Sequence, residues 1–344
     1  MLRAILHRPL KIFLFPLALF YRAMIFWRNW FYNIGFFVSQ KLSCKIISIG
    51  NISVGGTGKT PAVIFLARLL ESRGKRTAVL TRGYGRKSKG TVLVSDGKGN
   101  FASVSDAGDE PVFMANKINQ IPIVADENRV RGGTYLIENF NPDIIILDDG
   151  FQHRAIERDL DIVLINSQSK NSDSNLLPYG LLREPKSQLK RADIIFLTKT
   201  NLGETVSPLT HNTDLEMFKS IMVPEKTISD TAGNDNPLES LSGKNVFALS
   251  GIGDPGSFHS VIANTGAKIV GEEIKPDHYQ YLEDDLIIIQ QQASALSAEC
   301  IVTTEKDLVK IKKFEVGEIP IFAVGIAFQP QGTGLKKLLQ ILEL

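Results

Sequence analysis

From Lys45 onward, short apolar runs alternate with amphipathic segments. The apolar runs predict buried strands near 45–50, 77–81, 121–124, 143–148, 161–165 and 193–198. Apolar residues at three- and four-residue spacing predict helices near 59–73, 109–119 and 127–139. Alternation of strands and helices favours an α/β fold with a doubly wound, mostly parallel sheet.

A second, shorter αβ series begins after residue 240. It contains predicted strands near 245–250, 268–273, 299–303 and 320–324, and predicted helices near 255–265 and 283–297. Residues 201–240 mix Pro, Asn, Asp and Thr, which predicts a connection between two domains. We therefore divide the chain into an N-terminal helical segment, a larger core domain, a smaller α/β domain and a C-terminal helix, at 1–42, 43–225, 226–330 and 331–344.

Residues 10–38 are rich in large apolar and aromatic side chains, but their charge-free stretches are shorter than the ~20 residues that a spanning helix needs. At about 100° per residue, one narrow helix face collects Lys11, Arg22, Asn29, Asn33 and Gln40. A basic, aromatic-rich amphipathic helix is typical of a segment lying on an anionic membrane surface. The alternative is a helix that packs on its own domain or on a second subunit, and parts of it can do both.

The composition narrows the class of protein only slightly. A net charge of +2 over 344 residues predicts no nucleic-acid partner. No Asp or Glu precedes Glu71, however, so the N-terminal segment is basic. The two cysteines, Cys44 and Cys300, have neither metal-ligand spacing nor a disulfide pattern, which fits a reducing cytoplasm.

The segment Ser48–Thr60 has the layout of a phosphate-binding P-loop, because a buried strand, a glycine-rich turn and a helix start follow one another. The residues expected to bind ATP are Gly55, Gly56, Thr57, Gly58, Lys59 and Thr60. Ser53 stands where the usual pattern has its first glycine, although Gly55 and Gly56 can supply flexibility. The alternative is a glycine-rich turn before an ordinary helix.

A second candidate is the apolar strand that ends at Asp148 and Asp149. In a parallel sheet this end faces the ligand crevice, where a carboxylate can hold Mg²⁺ directly or through water. We favour Asp148 for that role, although Asp-Asp-Gly also suits a plain turn. His153 follows shortly after, either as a catalytic or as a structural histidine.

Three further motifs are ambiguous by themselves. Thr81–Arg86 combines glycines, two arginines and a tyrosine, which suits either a phosphate-bearing ligand or a solvated basic loop. Gly108–Pro111 opens a helix, and capping by Asp109 explains its residues. Pro276–Tyr279 favours an ordinary turn, although His278 facing a carboxylate across a domain cleft would make a proton-transfer pair.

Taken together, the motifs resemble the tetraacyldisaccharide 4′-kinases of lipid A biosynthesis, the LpxK family. The resemblance covers nearly the whole chain and rests on Ser53–Thr60, Thr81–Arg86, Gly108–Pro111, Asp148–His153, Leu181–Pro185, Pro276–His278 and Thr304–Asp307. A P-loop without its first glycine belongs to that family's own pattern. The predicted fold is therefore a P-loop NTPase core with a smaller α/β domain and an N-terminal amphipathic helix at the membrane interface.

The resemblance implies transfer of the ATP γ-phosphate to the 4′-hydroxyl of a tetraacylated glucosamine disaccharide 1-phosphate. It implies Mg²⁺ as a cofactor, and a lipid substrate in the bilayer at the cytoplasmic face of the bacterial inner membrane. Carried over by motif, the catalytic residues are Lys59, Asp109 as base, Asp149, His153 and His278. The implied Mg²⁺ contacts are Thr60, Glu110 and Asp148, and the implied substrate contacts are Tyr84, Arg129 and Arg183.

The rival function is a membrane-associated P-loop switch ATPase that positions protein partners. Such a protein shares the P-loop, the acidic strand end and the amphipathic helix. A switch ATPase does not need Asp109, His278 or Arg183, whereas the kinase does. The two hypotheses therefore differ in the roles they expect for these residues.

Overall fold

The structure, a computed structural model, describes residues 8–169, 174–202, 216–314 and 317–343, without the side chains of 8–13. Within these ranges one continuous sheet runs through the molecule. All but three of the described strand pairs are parallel, so the predicted mostly parallel α/β fold is confirmed.

Six strands of the first half lie close to the positions predicted above. The first half contains β1 (Lys45–Gly50), β2 (Thr77–Thr81), β3 (Val92–Asp96), β4 (Pro122–Ala125), β5 (Ile144–Asp148), β6 (Leu160–Asn166) and β7 (Ile194–Thr198). The second half contains β8 (Met217–Asp230), β9 (Asp235–Pro237), β10 (Asn245–Ser250), β11 (Lys268–Ile274), β12 (Cys300–Thr304) and β13 (Ile321–Pro330). In the sheet the strands follow the order β11-β10-β12-β13-β8-β7-β6-β1-β5-β2-β4-β3, with β9 paired to β8. The antiparallel pairs are β3–β4, β8–β9 and β8–β13.

The helices lie on both faces of this sheet. They are α1 (Arg8–Asn33), α2 (Lys59–Ser72), α3 (Val104–Ala107), α4 (Asp109–Lys117), α5 (Arg129–Phe140), α6 (Pro255–Ala263), α7 (Glu283–Ala295), α8 (Glu305–Ile311) and α9 (Gly334–Leu342). Helix α8 was not predicted, because seven residues give too little periodicity to recognise. It becomes important at the site described below.

Strand β8 joins the two halves of the sheet. Residues Met217–Lys219 pair in parallel with β7, and the strand then continues antiparallel to β13. The prediction of a connection at 201–240 missed this strand, because Pro224 and charged residues obscure its alternation. Residues 203–215 of that predicted connection lie outside the described part. The expected domain boundary between residues 225 and 226 falls inside β8.

The main core lies between α2 and the central strands. Ala62, Val63, Leu66 and Leu70 of α2 are buried in one hydrophobic cluster with alternate residues of β1 and β5. A separate cluster fills the space under α7 and α8 in the second half. These cores fix the ends of the strands from which the site residues project.

Helix α9 closes the first core, not the second. Leu338 and Leu342 belong to the same buried cluster as α2 and β1. Gly334 approaches so closely that an added Cβ would lie 3.0 Å from both Phe196 and Phe218. The C-terminal segment therefore returns to the larger half of the molecule.

Helix α1 presents two different faces. Ile25 and Asn29 are buried against the protein, whereas large apolar side chains on the opposite side are exposed. The exposed set includes Phe15, Leu17, Leu19, Phe20, Met24, Phe26, Trp27 and Trp30. The helix ends at Asn33, so Gln40 lies beyond it and bridges to Ile156 instead; the side chain of Lys11 is outside the description.

Among the described residues, no helix has both the length and the hydropathy needed to cross a bilayer. Helix α1 falls short of that limit because Pro16, Arg22, Arg28 and Asn29 interrupt its apolar sequence.

Packing of α9 predicts a clear difference between two leucines. We expect Leu338→Ala to lower the free energy of unfolding by about 2–5 kcal/mol, because it opens a cavity in the main core. Leu335→Ala, at a position that is 37% exposed, should cost less than about 1 kcal/mol. Equal losses in urea titrations of the two variants would contradict the packing of α9 described above.

Candidate active site

The P-loop follows β1 and ends where α2 begins. Gly58 precedes the helix with φ +85°, and no side chain caps the first turn. Thr57 is fixed inside the protein, since Asn51 donates to its hydroxyl and Thr198 donates to its carbonyl, each at 2.9 Å. The N–H groups of the first helical turn therefore remain available to an anion, as a phosphate site requires.

An extended segment from the Leu181–Pro185 motif supports the start of this loop. The N–H of Val54 donates to Leu181 at 2.8 Å, and the N–H of Arg183 donates to Ile52 at 2.7 Å. Loop and motif therefore share backbone hydrogen bonds, and a shift of one segment moves the other.

Asp149 lies between two cations of the site. One carboxylate oxygen accepts from Arg183 Nη1 at 2.7 Å, and the other lies 3.6 Å from Lys59 Nζ. Burial raises the pKa of Asp149, but Lys59 and Arg183 outweigh burial and hold the pKa below its usual value. Asp149 is thus ionised at neutral pH and holds both cations beside the P-loop.

The surroundings of Asp148 shift its pKa in the opposite direction from that of Asp149. Burial, together with the negative charges of Glu110 and Asp149, raises its pKa to about 6. Thr81 donates to its carboxylate at 2.8 Å, which ties the end of β2 to the end of β5. A carboxylate surrounded by other acids is a place where an added cation would be stabilising.

Asp109 and His278 meet across the two halves of the molecule. Nδ1 of His278 lies 3.1 Å from each carboxylate oxygen of Asp109, and the ring of Tyr84 lies 5.0 Å from the imidazole. The hydrogen bond that Asp109 accepts from His278 raises the pKa of His278 despite burial. Burial alone would raise the pKa of Asp109, but His278, Lys306 and Lys310 lower it.

This geometry corrects two of the local interpretations. Gly108, with φ +95°, precedes α4, and Asp109 is the first helical residue, so it does not cap the helix by the usual side-chain contact. Pro276–Tyr279 is more than a turn, because it places His278 in hydrogen-bond contact with Asp109.

Two lysines of α8 complete the cluster and were missed as site residues. Lys306 Nζ lies 3.0 Å from Glu110 and 3.4 Å from Asp277, and Lys310 Nζ lies 3.9 Å from Asp109. Burial would lower the pKa of Lys306, but the surrounding carboxylates raise it overall. The Thr304–Asp307 motif marked this segment in the sequence. Because α8 was not predicted, however, the motif did not show towards which residues the lysines point.

The second half also contacts the P-loop directly. Lys199, at the end of β7, donates to Asp254 and to Ser257, which lies 3.1 Å away. An added Cβ on Gly56 would lie 3.4 Å from Asp254 and 3.8 Å from Lys199. These contacts, also unpredicted, fix how closely the halves approach around the donor site.

Arg129 and His153 lie behind the acidic strand end. Arg129 is buried and donates to the carbonyl of Asp126 at 2.6 Å, and burial lowers its pKa to about 10. Burial and the nearby Arg129 and Arg158 lower the pKa of His153 to about 4. Tyr84, by contrast, is 62% exposed and faces the solvent side of the dyad.

Comparison with known proteins supplies the family. The sequence model described as tetraacyldisaccharide-1-P 4′-kinase, LpxK, matches residues 10–343. The chain belongs to the LpxK family.

Relatives and a solved structure agree with this assignment. The tetraacyldisaccharide 4′-kinase of Syntrophus aciditrophicus is 39% identical over 341 residues, covering 94% of this chain and 91% of the relative. That of Aquifex aeolicus is 38% identical over 306 residues, covering 89% and 91%. The crystal structure of LpxK from Aquifex aeolicus in complex with ATP matches with a TM-score of 0.78 and 36% identity, covering 97% of this chain and 98% of that one.

The LpxK motifs converge at one edge of the sheet. Contacts join Thr81 to Asp148, Asp149 to Arg183, Asp109 to His278 and Glu110 to Lys306. Motifs that are far apart in the sequence therefore surround the P-loop in the fold.

The environment of His153 predicts its charge. With a folded pKa near 4 against an ordinary value of 6.5, the imidazole should stay neutral from pH 5 to pH 8. Between about pH 6.5 and pH 4 the unfolded state then binds the proton first, so His153 lowers stability as the solution is acidified. Histidine-labelled NMR, with His153→Gln for assignment, measures this; a ring titrating near pH 6.5 would contradict it.

Proposed function

We propose that the chain transfers the γ-phosphate of ATP to the 4′-hydroxyl of a tetraacylated glucosamine disaccharide 1-phosphate, a reaction of lipid A biosynthesis. The observation that carries the proposal is the Asp109–His278 pair beside a P-loop, in a chain that matches the family over residues 10–343. A carboxylate held by a histidine suits an alcohol acceptor, whose proton must be accepted during transfer.

The donor site supplies charge and position. Backbone N–H groups at the start of α2 and the ammonium of Lys59 would bind the phosphates of ATP. Arg183, fixed by Asp149 at 2.7 Å, adds a guanidinium that can bind phosphate oxygens in bidentate fashion. The backbone hydrogen bonds between the P-loop and Leu181–Arg183 hold these groups at fixed positions relative to one another.

The donor set beside the P-loop fits Mg²⁺. Thr60, Glu110 and Asp148 offer the hard oxygen ligands this ion prefers. Burial, together with the negative charges of Glu110 and Asp149, raises the pKa of Asp148, and a bound cation would stabilise its ionised form. In the described part of the chain, no group of three or more acidic, His or Cys side chains is ready to enclose a metal. Mg²⁺ is usually held by one or two carboxylates together with substrate phosphates.

Asp109 is the proposed base. It is 4% exposed, and its lowered pKa keeps it ionised and able to accept a proton at neutral pH. His278 holds the carboxylate through Nδ1, and Lys306 and Lys310 balance the local negative charge. Tyr84, exposed beside His278, is a proposed contact for the acceptor sugar. Buried Arg129 would act on the phosphates only from behind Asp148.

We also propose that α1 places the enzyme on an anionic membrane, at the cytoplasmic face of the inner membrane. Its outward face exposes Phe20, Phe26 and Trp27, while its inward face packs on the core. Such a helix lies in the membrane interface with its apolar side buried. The acyl chains of the acceptor can then remain in the bilayer while its sugar enters the site.

The switch ATPase hypothesis is not favoured. It gives no role to Asp109 and His278, and the curated relatives are named as kinases.

Acceptor turnover tests the function and the dyad together. Purified protein with ATP, Mg²⁺ and a lipid A precursor should yield a 4′-phosphorylated product. We expect Asp109→Ala and His278→Ala to lower kcat by about 10²–10⁴-fold, since each disables proton acceptance, with little change in ATP affinity. ATP turnover that does not depend on the lipid would refute the kinase function. Wild-type rates in both variants would refute only the proposed role of the Asp109–His278 pair.

Membrane binding is tested with a matched pair of exposed apolar residues. Phe20→Ser should weaken co-sedimentation with anionic phospholipid vesicles by about tenfold, because it removes a large side chain from the bilayer-facing surface. Ile288→Ser, at an equally apolar and 53% exposed position on α7, should leave binding unchanged. Equal behaviour of the two variants would assign α1 to packing alone.

A further inference from the structure

Helix α1 reaches the active site through two polar contacts. The hydroxyl of Tyr21 donates to the carbonyl of Arg183 at 2.9 Å, and the guanidinium of Arg28 donates to the carboxylate of Glu184. Both contacts lie on the inward side of the helix, next to buried Asn29. The membrane-facing element is therefore bonded to the residues beside the P-loop.

Glu184 is buried completely, with 0% exposure. One carboxylate oxygen binds Arg28, and the other binds Arg191 at the end of the turn before β7. The Arg191 guanidinium lies 4.3 Å over the ring of Phe151, which is also 0% exposed. A buried carboxylate between two arginines is sensitive to loss of either partner, since the remaining charges are then uncompensated.

From Glu184 the contacts continue into the donor site. The adjacent Arg183 binds Asp149 at 2.7 Å, and Asp149 lies 3.6 Å from Lys59. Arg183 also donates its N–H to Ile52 at 2.7 Å. A physical path of hydrogen bonds and ion pairs thus leads from α1 to the lysine of the P-loop, which is the kind of contiguous network that can carry coupling.

We infer that Glu184 is a positioning residue that couples docking of α1 to the placement of Arg183 and the P-loop. The inference rests on the proposed kinase function and extends it: α1 not only binds a lipid surface but also sets the geometry of phosphoryl transfer. Glu184 acts through Arg183 and Asp149, and need not touch either substrate itself.

The inward contacts of α1 distinguish the positioning role from simple attraction of the helix to an anionic membrane. Arg22 lies on the same helix as Arg28 and carries the same charge, but it is exposed. If the arginines of α1 served only to attract anionic lipid, the two positions would be equivalent. Coupling through Glu184 makes only Arg28 important for the chemical step.

The experiment compares Arg28→Ala with Arg22→Ala in the full-length protein. Kinetics are measured with ATP, Mg²⁺ and a lipid A precursor in non-ionic detergent micelles. We expect Arg28→Ala to lower kcat at saturating lipid by about tenfold or more, because displacement of a positioned group by about 1 Å can cost 10²-fold. Arg22→Ala, which reports the lost charge alone, should change the KM for lipid without that fall in kcat.

A double-mutant cycle shows whether Arg28 acts through Arg183. In an Arg183→Ala background, Arg28→Ala should lose most of its effect on kcat, whereas independent roles would give multiplied losses. Tyr21→Phe, which removes one hydroxyl only, and Glu184→Asp, which keeps the charge, provide milder variants should Arg28→Ala fold poorly. Tyr21→Phe should lower kcat by about threefold or more, and Glu184→Asp should retain more activity than Glu184→Gln.

Two results would overturn the inference: equal kcat values for the Arg28 and Arg22 variants, or fully multiplicative losses in the cycle. If the milder variants are used, unchanged kcat in Tyr21→Phe would overturn it as well. The wild-type reaction in the same assay must yield 4′-phosphorylated lipid. Its absence would refute the proposed function, which keeps the two failures distinct.

Discussion

Pairing of β1 with β5 is the constraint on which the site depends. Their parallel register sets Ile49 opposite Asp148, so the P-loop and the acidic strand end leave the sheet at the same edge. Because both strands are buried in the main core, the register is fixed by apolar packing and not by the charged groups themselves. The charged groups can therefore be held close together, because apolar packing of the surrounding core offsets their electrostatic repulsion.

Charge balance across the two halves completes the arrangement. The acids of α4 receive their counter-charges from α8, since Lys306 meets Glu110 and Lys310 approaches Asp109. At the other end of α4, Lys117 binds Glu225 of β8 and Glu305 of α8. Helix α4 is thus held at both ends by the second half, and this fixes the orientation of the proposed base.

Sequence patterns revealed the elements with long apolar runs and the motifs with unusual glycines. Strands β1, β2 and β5 and the P-loop could be predicted because burial and phosphate binding both restrict their residue types. Contacts between distant segments do not follow from local patterns: the pairing of His278 with Asp109 was expected only from the family resemblance, and the contact of Lys199 with Asp254 was not predicted. Helix α8 and strand β8 were missed because one is short and the other carries Pro224 and exposed charges.

Strand β8 also determines how the molecule can deform. Its pairing partner changes from β7 to β13 between Lys219 and Ser220, within a single uninterrupted strand. Because one strand is paired to both halves, any change in their relative orientation has to twist β8 or break part of its pairing. The strand that joins the halves therefore also limits how far His278 can move away from Asp109.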